Sequence, residues 1–212
     1  MKLYHYVHCP FCVRVRMALG FLDMPYESIV TQYNDEKTPI DLTGKKMLPI
    51  MEFDNEAAMN ESLDIIKKLD SKALISFDLY KNHEAEIEDL LSKIGSDVHS
   101  LCMPYWIWTP EFTTESRKYF QEKKEVKRGP FKNLIKNKEQ FIDSLNETLK
   151  TLEERVSSFY RSDILTVADI MIASHLWGMY IFPEYQFSEK VHSYLQLVKK
   201  QCRFDYHVDF WK

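Results

Sequence analysis

The sequence predicts an α/β unit followed by an all-α unit. Three observations lead there. A strand-like run, Lys2 to Val7, passes through Cys9-Pro10-Phe11-Cys12 straight into a helix-like run ending near Leu22. Strand and helix patterns then alternate as βαβαββα up to about residue 70. Beyond Ser76 no strand alternation recurs, and apolar residues return at helical spacing instead. The expected division is 1–70 for the α/β unit, 71–76 for a linker and 77–212 for the helical unit.

In the first unit, Leu3 to Val7 reads as a strand. The helix after it is apolar on several sides. Cys12, Val15, Leu19 and Leu22 form one stripe, and Val13, Met17 and Gly20 form a second. Ala18 and Phe21 lie elsewhere, and only Arg14 and Arg16 interrupt the apolar surface. Such a helix is covered on several sides, so it should pack on the sheet and against the second unit. Asp23-Met24-Pro25 ends it. Tyr26 to Val30 is the second strand, and Asn34 to Thr43 holds a short helix stopped by Gly44. Leu48 to Phe53 is a third strand, and Ala57 to Met59 a short fourth that pairs back after the Asp54-Asn55-Glu56 turn. Asn60 is expected to cap a helix from Glu61 to Leu69. This order, with C-x-x-C after the first strand, is thioredoxin-like.

The spacing of Cys9 and Cys12 has a chemical meaning. With Cys9 at the N-cap, Pro10 is the first helical residue, where a missing N–H costs nothing. The free N–H groups of Phe11 and Cys12 then point at the Cys9 sulfur. The thiolate is the reactive form of cysteine, and a helix end favours it by about 0.3–1 kcal/mol, or ~2 when partly buried. That alone lowers the pKa by roughly one unit. A larger drop needs direct hydrogen bonding to the sulfur or nearby cations, for which His8, Arg14 and Arg16 are local candidates. Cys12 lies on an apolar stripe, so Cys9 is expected to attack and Cys12 to resolve. Half of a zinc site is the other use of C-x-x-C. It needs a second ligand pair, and Cys102 and Cys202 are isolated. His5 and His8 are close enough to leave zinc open, but redox use is favoured.

Composition sets limits. Lys and Arg number 28 against 32 Asp and Glu, a balance that argues against nucleic acid as the main partner. No run of 18 apolar residues is present, so no stable membrane insertion is expected. The five glycines cannot build a phosphate-cradling loop. The N-terminus lacks a signal-peptide core, and four cysteines are too few for a secreted disulfide framework. The cytoplasm is the expected compartment.

The motifs together resemble the glutaredoxins, and among them the two-domain bacterial glutaredoxin 2 type. The matching stretches are Lys2-Leu3-Tyr4, His8-Cys9-Pro10 with Cys12, Gly44 with Lys46, Pro49-Ile50, and Glu61-Ser62 with Asp64-Ile65. In the second unit they are Lys118-Tyr119-Phe120 and Lys123-Lys124-Glu125. The likeness spans the whole first unit and parts of the second. Three departures stand out: Phe11 where tyrosine is common, Leu48 where valine is usual, and Asn60 in place of a proline. The resemblance implies a thioredoxin-like domain joined to a glutathione-transferase-like helical domain. It also implies glutathione as co-substrate, with no metal, and glutathionylated or disulfide-bonded proteins as partners. A monomer is expected.

The resemblance also implies roles. Cys9 and Cys12 are catalytic. Pro10, Phe11, Lys46, Leu48, Pro49, Glu61 and Ser62 hold glutathione. A cis Leu48-Pro49 bond presents the Leu48 backbone to the cysteinyl unit, like an added strand. Ser62, at a helix N-terminus that favours carboxylates, receives the γ-glutamyl carboxylate, and Glu61 meets the amino group. Lys46, with Lys45, neutralises the glycyl carboxylate.

In the second unit, Ile87, Leu90, Leu91, Ile94 and Val98 mark a helix expected to end at Leu101-Cys102-Met103-Pro104. Tyr105 to Pro110 is expected to be an irregular aromatic segment, either core or a wall of the cleft over Cys9. Glu115 to Lys124 and Phe141 to Val156 are further helices. Thr166-Val167-Ala168-Asp169 fits a capping box opening a buried helix. A helix from Ser188 to Lys200 and a tail with Phe210-Trp211 follow. Cys102 and Cys202 read as buried thiols.

The leading reading is a glutathione-dependent disulfide oxidoreductase. One alternative is a cysteine or omega-like glutathione transferase, which would not need Cys12. Another is a redox-switched binding protein like the chloride intracellular channels.

Overall fold

The computed structural model describes residues 1–206. The Phe210-Trp211 tail lies outside the described residues. The N-terminal part holds a three-stranded sheet: β1 (Lys2–His5), β2 (Glu27–Val30) and β3 (Ile50–Glu52), in the order β2-β1-β3. β1 runs parallel to β2 and antiparallel to β3, so Leu3 faces Ser28 on one side and Met51 on the other. The expected fourth strand shrinks to a single bridge, in which Met51 and Met59 exchange both backbone hydrogen bonds. The chain leaves the sheet at once, because the next side chain, Asn60, donates to Thr43 Oγ1 instead (3.1 Å).

Helix α1 (Pro10–Phe21) begins at Cys9 as its N-cap, and α2 (Lys37–Thr43) ends at Gly44 with φ 74°. α3 (Ser62–Leu69) is capped by Glu61, not by Asn60, whose side chain is taken by Thr43. The helical part follows as α4 (Asp78–Asn82), α5 (Glu84–Trp106), α6 (Thr114–Arg128), α7 (Phe131–Lys136), α8 (Lys138–Arg155), α9 (Val167–Leu176) and α10 (Glu189–Gln201). α5 does not stop at Pro104. The proline sits in its last turn, where little helix remains to kink, and the helix runs on through Trp106.

α9 is buried along its whole length. Its start carries the expected capping box between Thr166 and Asp169. Asp169 also accepts from the Tyr160 backbone (2.7 Å) and the Tyr194 hydroxyl (3.1 Å), so one buried carboxylate ties two other segments to the helix start. Backbone pairing of Val167 with Ser76 (3.1 Å) fixes the connecting segment to the same place.

α1 packs against α3 on its own side and against α9 and α10 of the helical part. This accounts for its several apolar faces. One core cluster runs through both parts, from Leu3 and Val13 to Leu176 and Val198. The two parts come close at Gly20, where a Cβ would lie 2.0 Å from the Cys202 carbonyl oxygen. No described helix is long and apolar enough to cross a membrane.

Candidate active site

The end of β1, the central strand, delivers Tyr6, Val7 and His8 to the start of α1, which places Cys9 and Cys12 at the end of that strand, next to the helical part. Cys12 is fully buried with Tyr6, Leu48 and Ile50, and Cys9 packs against this cluster while half-buried. The Tyr6 backbone N–H donates to Cys12 Sγ (3.4 Å). The two thiols therefore differ in access as the apolar stripe predicts.

Their acidities diverge too. The Cys9 thiol is lowered from 9.0 to about 6. The hydrogen bond from the Cys12 thiol lowers it most. Burial opposes, and the Cys12 amide, the His8 charge and the Phe11 amide add to the lowering. The sulfur makes no side-chain capping hydrogen bond of ordinary geometry, so the helix end acts mainly as a nearby electrostatic environment. Cys12 moves the other way. Burial pushes its thiol well up, and the neighbouring Cys9 pushes it further. A pair driven apart in this way assigns one thiolate and one thiol.

The sequence-derived site residues gather unevenly. Pro10 is buried at the first helical position, and Phe11 is 47% exposed, with Arg14 stacked 4.7 Å over its ring. The Leu48-Pro49 bond is cis, and Leu48 lies in the Cys12 cluster. Glu61 is exposed at the start of α3. Ser62 is buried, and its Oγ accepts from Arg14 Nη1 (3.4 Å). Lys46 is drawn toward the helical part. Its ammonium donates to Glu36 (3.1 Å) and to the Tyr119 hydroxyl (3.0 Å), and it sits 4.2 Å over the Tyr119 ring. Among the described residues, no group of three or more His, Cys, Asp and Glu side chains is placed to hold a metal ion.

Two contributors from the helical part, Glu111 and Lys124, had no role assigned from the sequence. Glu111, in the loop before α6, accepts from His8 Nδ1 and from the Val7 backbone, each at 2.9 Å. Nothing local marks a loop glutamate for this. Lys124 lies half-buried 5.4 Å over both the Tyr33 and Phe120 rings. Burial lowers its pKa, and the Cys9 thiolate partly offsets that. Lys124 stood in the sequence only within the matching stretch Lys123-Lys124-Glu125, with no role attached. Trp106 is core, packed 5.5 Å from the His8 ring, whereas Trp108 is 68% exposed under Arg117.

Residues 86–207 match the family model for the glutaredoxin 2 C-terminal domain, and residues 3–74 match that for the glutathione S-transferase N-terminal domain. The chain belongs to the glutaredoxin 2 family. It is 34% identical to glutaredoxin 2 of Escherichia coli K12 over 162 residues, covering 74% of each chain. The structure of Salmonella typhimurium glutaredoxin 2 in complex with glutathione superposes with a TM-score of 0.85 at 31% identity, covering 96% of this chain and 95% of that one. A glutathione transferase from Phanerochaete chrysosporium shares the fold at 15% identity, with a TM-score of 0.81 over 96% and 97% of the two chains. This glutaredoxin 2 family member thus has a small sheet with its helices and a helical part behind it, with the thiol pair at their junction.

Proposed function

We propose that the protein reduces protein–glutathione mixed disulfides and protein disulfides, with Cys9 as nucleophile and Cys12 as resolving thiol. Family membership makes the chain a glutathione-dependent thiol oxidoreductase. The observation that carries the finer reading is the split pair: an accessible Cys9 held toward the thiolate, and a buried Cys12 held as the thiol.

The steps follow from thiol–disulfide exchange. The Cys9 thiolate attacks the glutathione sulfur of a mixed disulfide. A Cys9–glutathione disulfide forms, and the protein thiolate leaves. A second glutathione thiolate attacks that bond, releasing oxidised glutathione and restoring Cys9. With a protein disulfide, Cys9 becomes linked to the substrate. Cys12 then loses its proton and attacks the Cys9 sulfur, freeing the reduced substrate and leaving Cys9–Cys12 oxidised. Two glutathiones reduce that bond. Burial keeps Cys12 from competing as an attacking group before Cys9 has reacted.

The Salmonella relative was solved with glutathione, which supports glutathione as the co-substrate here. We assign its cysteinyl unit to the Leu48 backbone beside Pro49. The γ-glutamyl end goes to Glu61 and Ser62, and Pro10 and Phe11 line the entry. Lys46 remains our assignment for the glycyl carboxylate, reached by loosening its bond to Glu36. On this reading residues 1–70 carry the chemistry, 71–76 link, and 77–212 make up the all-helical domain of a cytoplasmic monomer.

The test is reduction of a glutathionylated peptide by glutathione. Cys12→Ser should retain it and Cys9→Ser should abolish it, since only Cys9 is needed for the mixed disulfide. Equal activity of Cys9→Ser and wild type would sink the assignment. An aryl halide assayed alongside separates a transferase.

A further inference from the structure

Val7 and His8 immediately precede the reactive cysteine, and both are bonded by one carboxylate from the other half of the molecule. Glu111 Oε2 accepts from the Val7 N–H and Oε1 from His8 Nδ1, each at 2.9 Å. The pair is shielded from solvent, with the His8 and Glu111 side chains 6% and 5% exposed. Rings of Tyr6, Tyr33, Trp106, Phe112 and Phe120 surround the imidazole, with centroids 5.1–6.0 Å away.

The loop bearing Glu111 is itself pinned. Its backbone oxygen accepts from Gln32 Nε2 (2.7 Å), and Gln32 Oε1 accepts from the Thr113 N–H (3.2 Å). Thr109 Oγ1 reaches Glu111 Oε1 at 3.4 Å. The carboxylate is therefore positioned before any substrate arrives.

Glu111 thus bonds both the His8 side chain and the backbone just before it, which fixes the imidazole next to Cys9. We propose that Glu111 is a positioning residue for Cys9: it holds the His8 imidazole beside the reactive sulfur, so that a loop of the helical part sets the reactivity of the nucleophile. This rests on Cys9 being the attacking thiol.

The other ionisable groups around the pair are Tyr6 and Tyr33 from the N-terminal part, His99 from α5 and Lys124 from α6. Burial lowers the His99 pKa and raises those of the tyrosines, which leaves them neutral near pH 7. Lys124 and Arg14 both feel the Cys9 charge directly. They act on the thiolate without passing through Glu111, so their contribution persists when Glu111 is changed.

The link is tested by iodoacetamide alkylation of Cys9 against pH, with the modified residue mapped by mass spectrometry. Wild type, Glu111→Gln, His8→Phe and the double variant are compared. Glu111→Gln and His8→Phe should each raise the midpoint and slow alkylation at pH 5 by about threefold to tenfold. The double variant should add nothing further, because Glu111 acts through His8. An unmoved midpoint in Glu111→Gln, or shifts that sum in the double variant, would overturn the proposal and leave Glu111 as a mere interdomain anchor. Should Glu111→Gln fail to fold, an unmoved midpoint in His8→Phe overturns it equally. Alkylation mapping elsewhere than Cys9 removes the nucleophile assignment itself, and this proposal with it.

Discussion

Removing the Cys12 thiol should weaken the Cys9 thiolate more than any change at the helix end. The drop of the Cys9 pKa from 9.0 to about 6 corresponds to about 4 kcal/mol of preference for the anion. The Cys12 thiol is its largest favourable contributor. A hydrogen bond to a charged acceptor contributes about 1.5–3 kcal/mol, and a thiol is a weak donor, so the lower half of that range applies. Cys12→Ala should therefore raise the Cys9 midpoint by about one to one and a half pH units. Cys12→Ser, which keeps a hydroxyl donor, should raise it less. The assay is the ultraviolet absorbance of the thiolate against pH. A rate alone understates the change, since a thiolate gains intrinsic nucleophilicity as its pKa rises, with a Brønsted slope of about 0.4–0.5. The wild type should already be about 90% thiolate at pH 7, and Cys12→Ala about half or less. A midpoint for Cys12→Ala that stays near 6 refutes the argument and shifts the weight to the helix amides and His8.

Two further outcomes follow from packing and from buried histidines. Gly20→Ala should cost about 1–3 kcal/mol or more in urea unfolding, because the new Cβ lies 2.0 Å from the Cys202 carbonyl oxygen and backbone must move; wild-type stability in this variant would show that α1 and the end of α10 are not in rigid contact. His5 and His175 are both lowered to about 3, first by burial and then by Arg16 and Arg14 respectively. Unfolded, each binds a proton near 6.5; folded, neither does until about 3. Between those values the unfolded chain holds more protons, so these groups make stability fall as pH falls below 6.5, by up to about 2.7 kcal/mol per pH unit for the two. Urea unfolding free energies measured between pH 7 and 5 should show the fall, and a His175→Gln variant should lose up to about 1.4 kcal/mol per pH unit of it; an unchanged slope would contradict the assignment.

The thiol pair was legible because its chemistry is local. Cys9, Pro10 and Cys12 take the cap, first and third positions of one helix, and position in a helix start follows from sequence spacing. The apolar stripe that buries Cys12 is equally local. The same is true of the capping box at Thr166 and Asp169. What failed were features decided by one competing contact. Asn60 looked like a cap, but Thr43, 17 residues earlier, takes its amide. Pro104 looked like a helix end, but it falls late enough to be carried. The acidity of Cys9 was expected chiefly from the helix end, whereas its largest contributor is the partner thiol. Spacing alone does not reveal that hydrogen bond.

Glu111 and Lys124 define a different kind of miss. Each lies more than 100 residues from Cys9 along the chain, and neither has a local pattern that names a partner. What the sequence did contain was the indirect signal that α1 is apolar on too many sides for one sheet to cover. That surplus surface is met by α9 and α10. Once α1 is fixed against them, the loop before α6 and the buried side of α6 are brought over the reactive thiol. The helical part then supplies the rings around His8, the carboxylate that bonds it, and the lysine that feels the thiolate charge. Its role at the site therefore follows from packing first: α9 and α10 dock on α1, and Gln32 and Tyr33 then hold the Glu111 loop and the start of α6 against the N-terminal part.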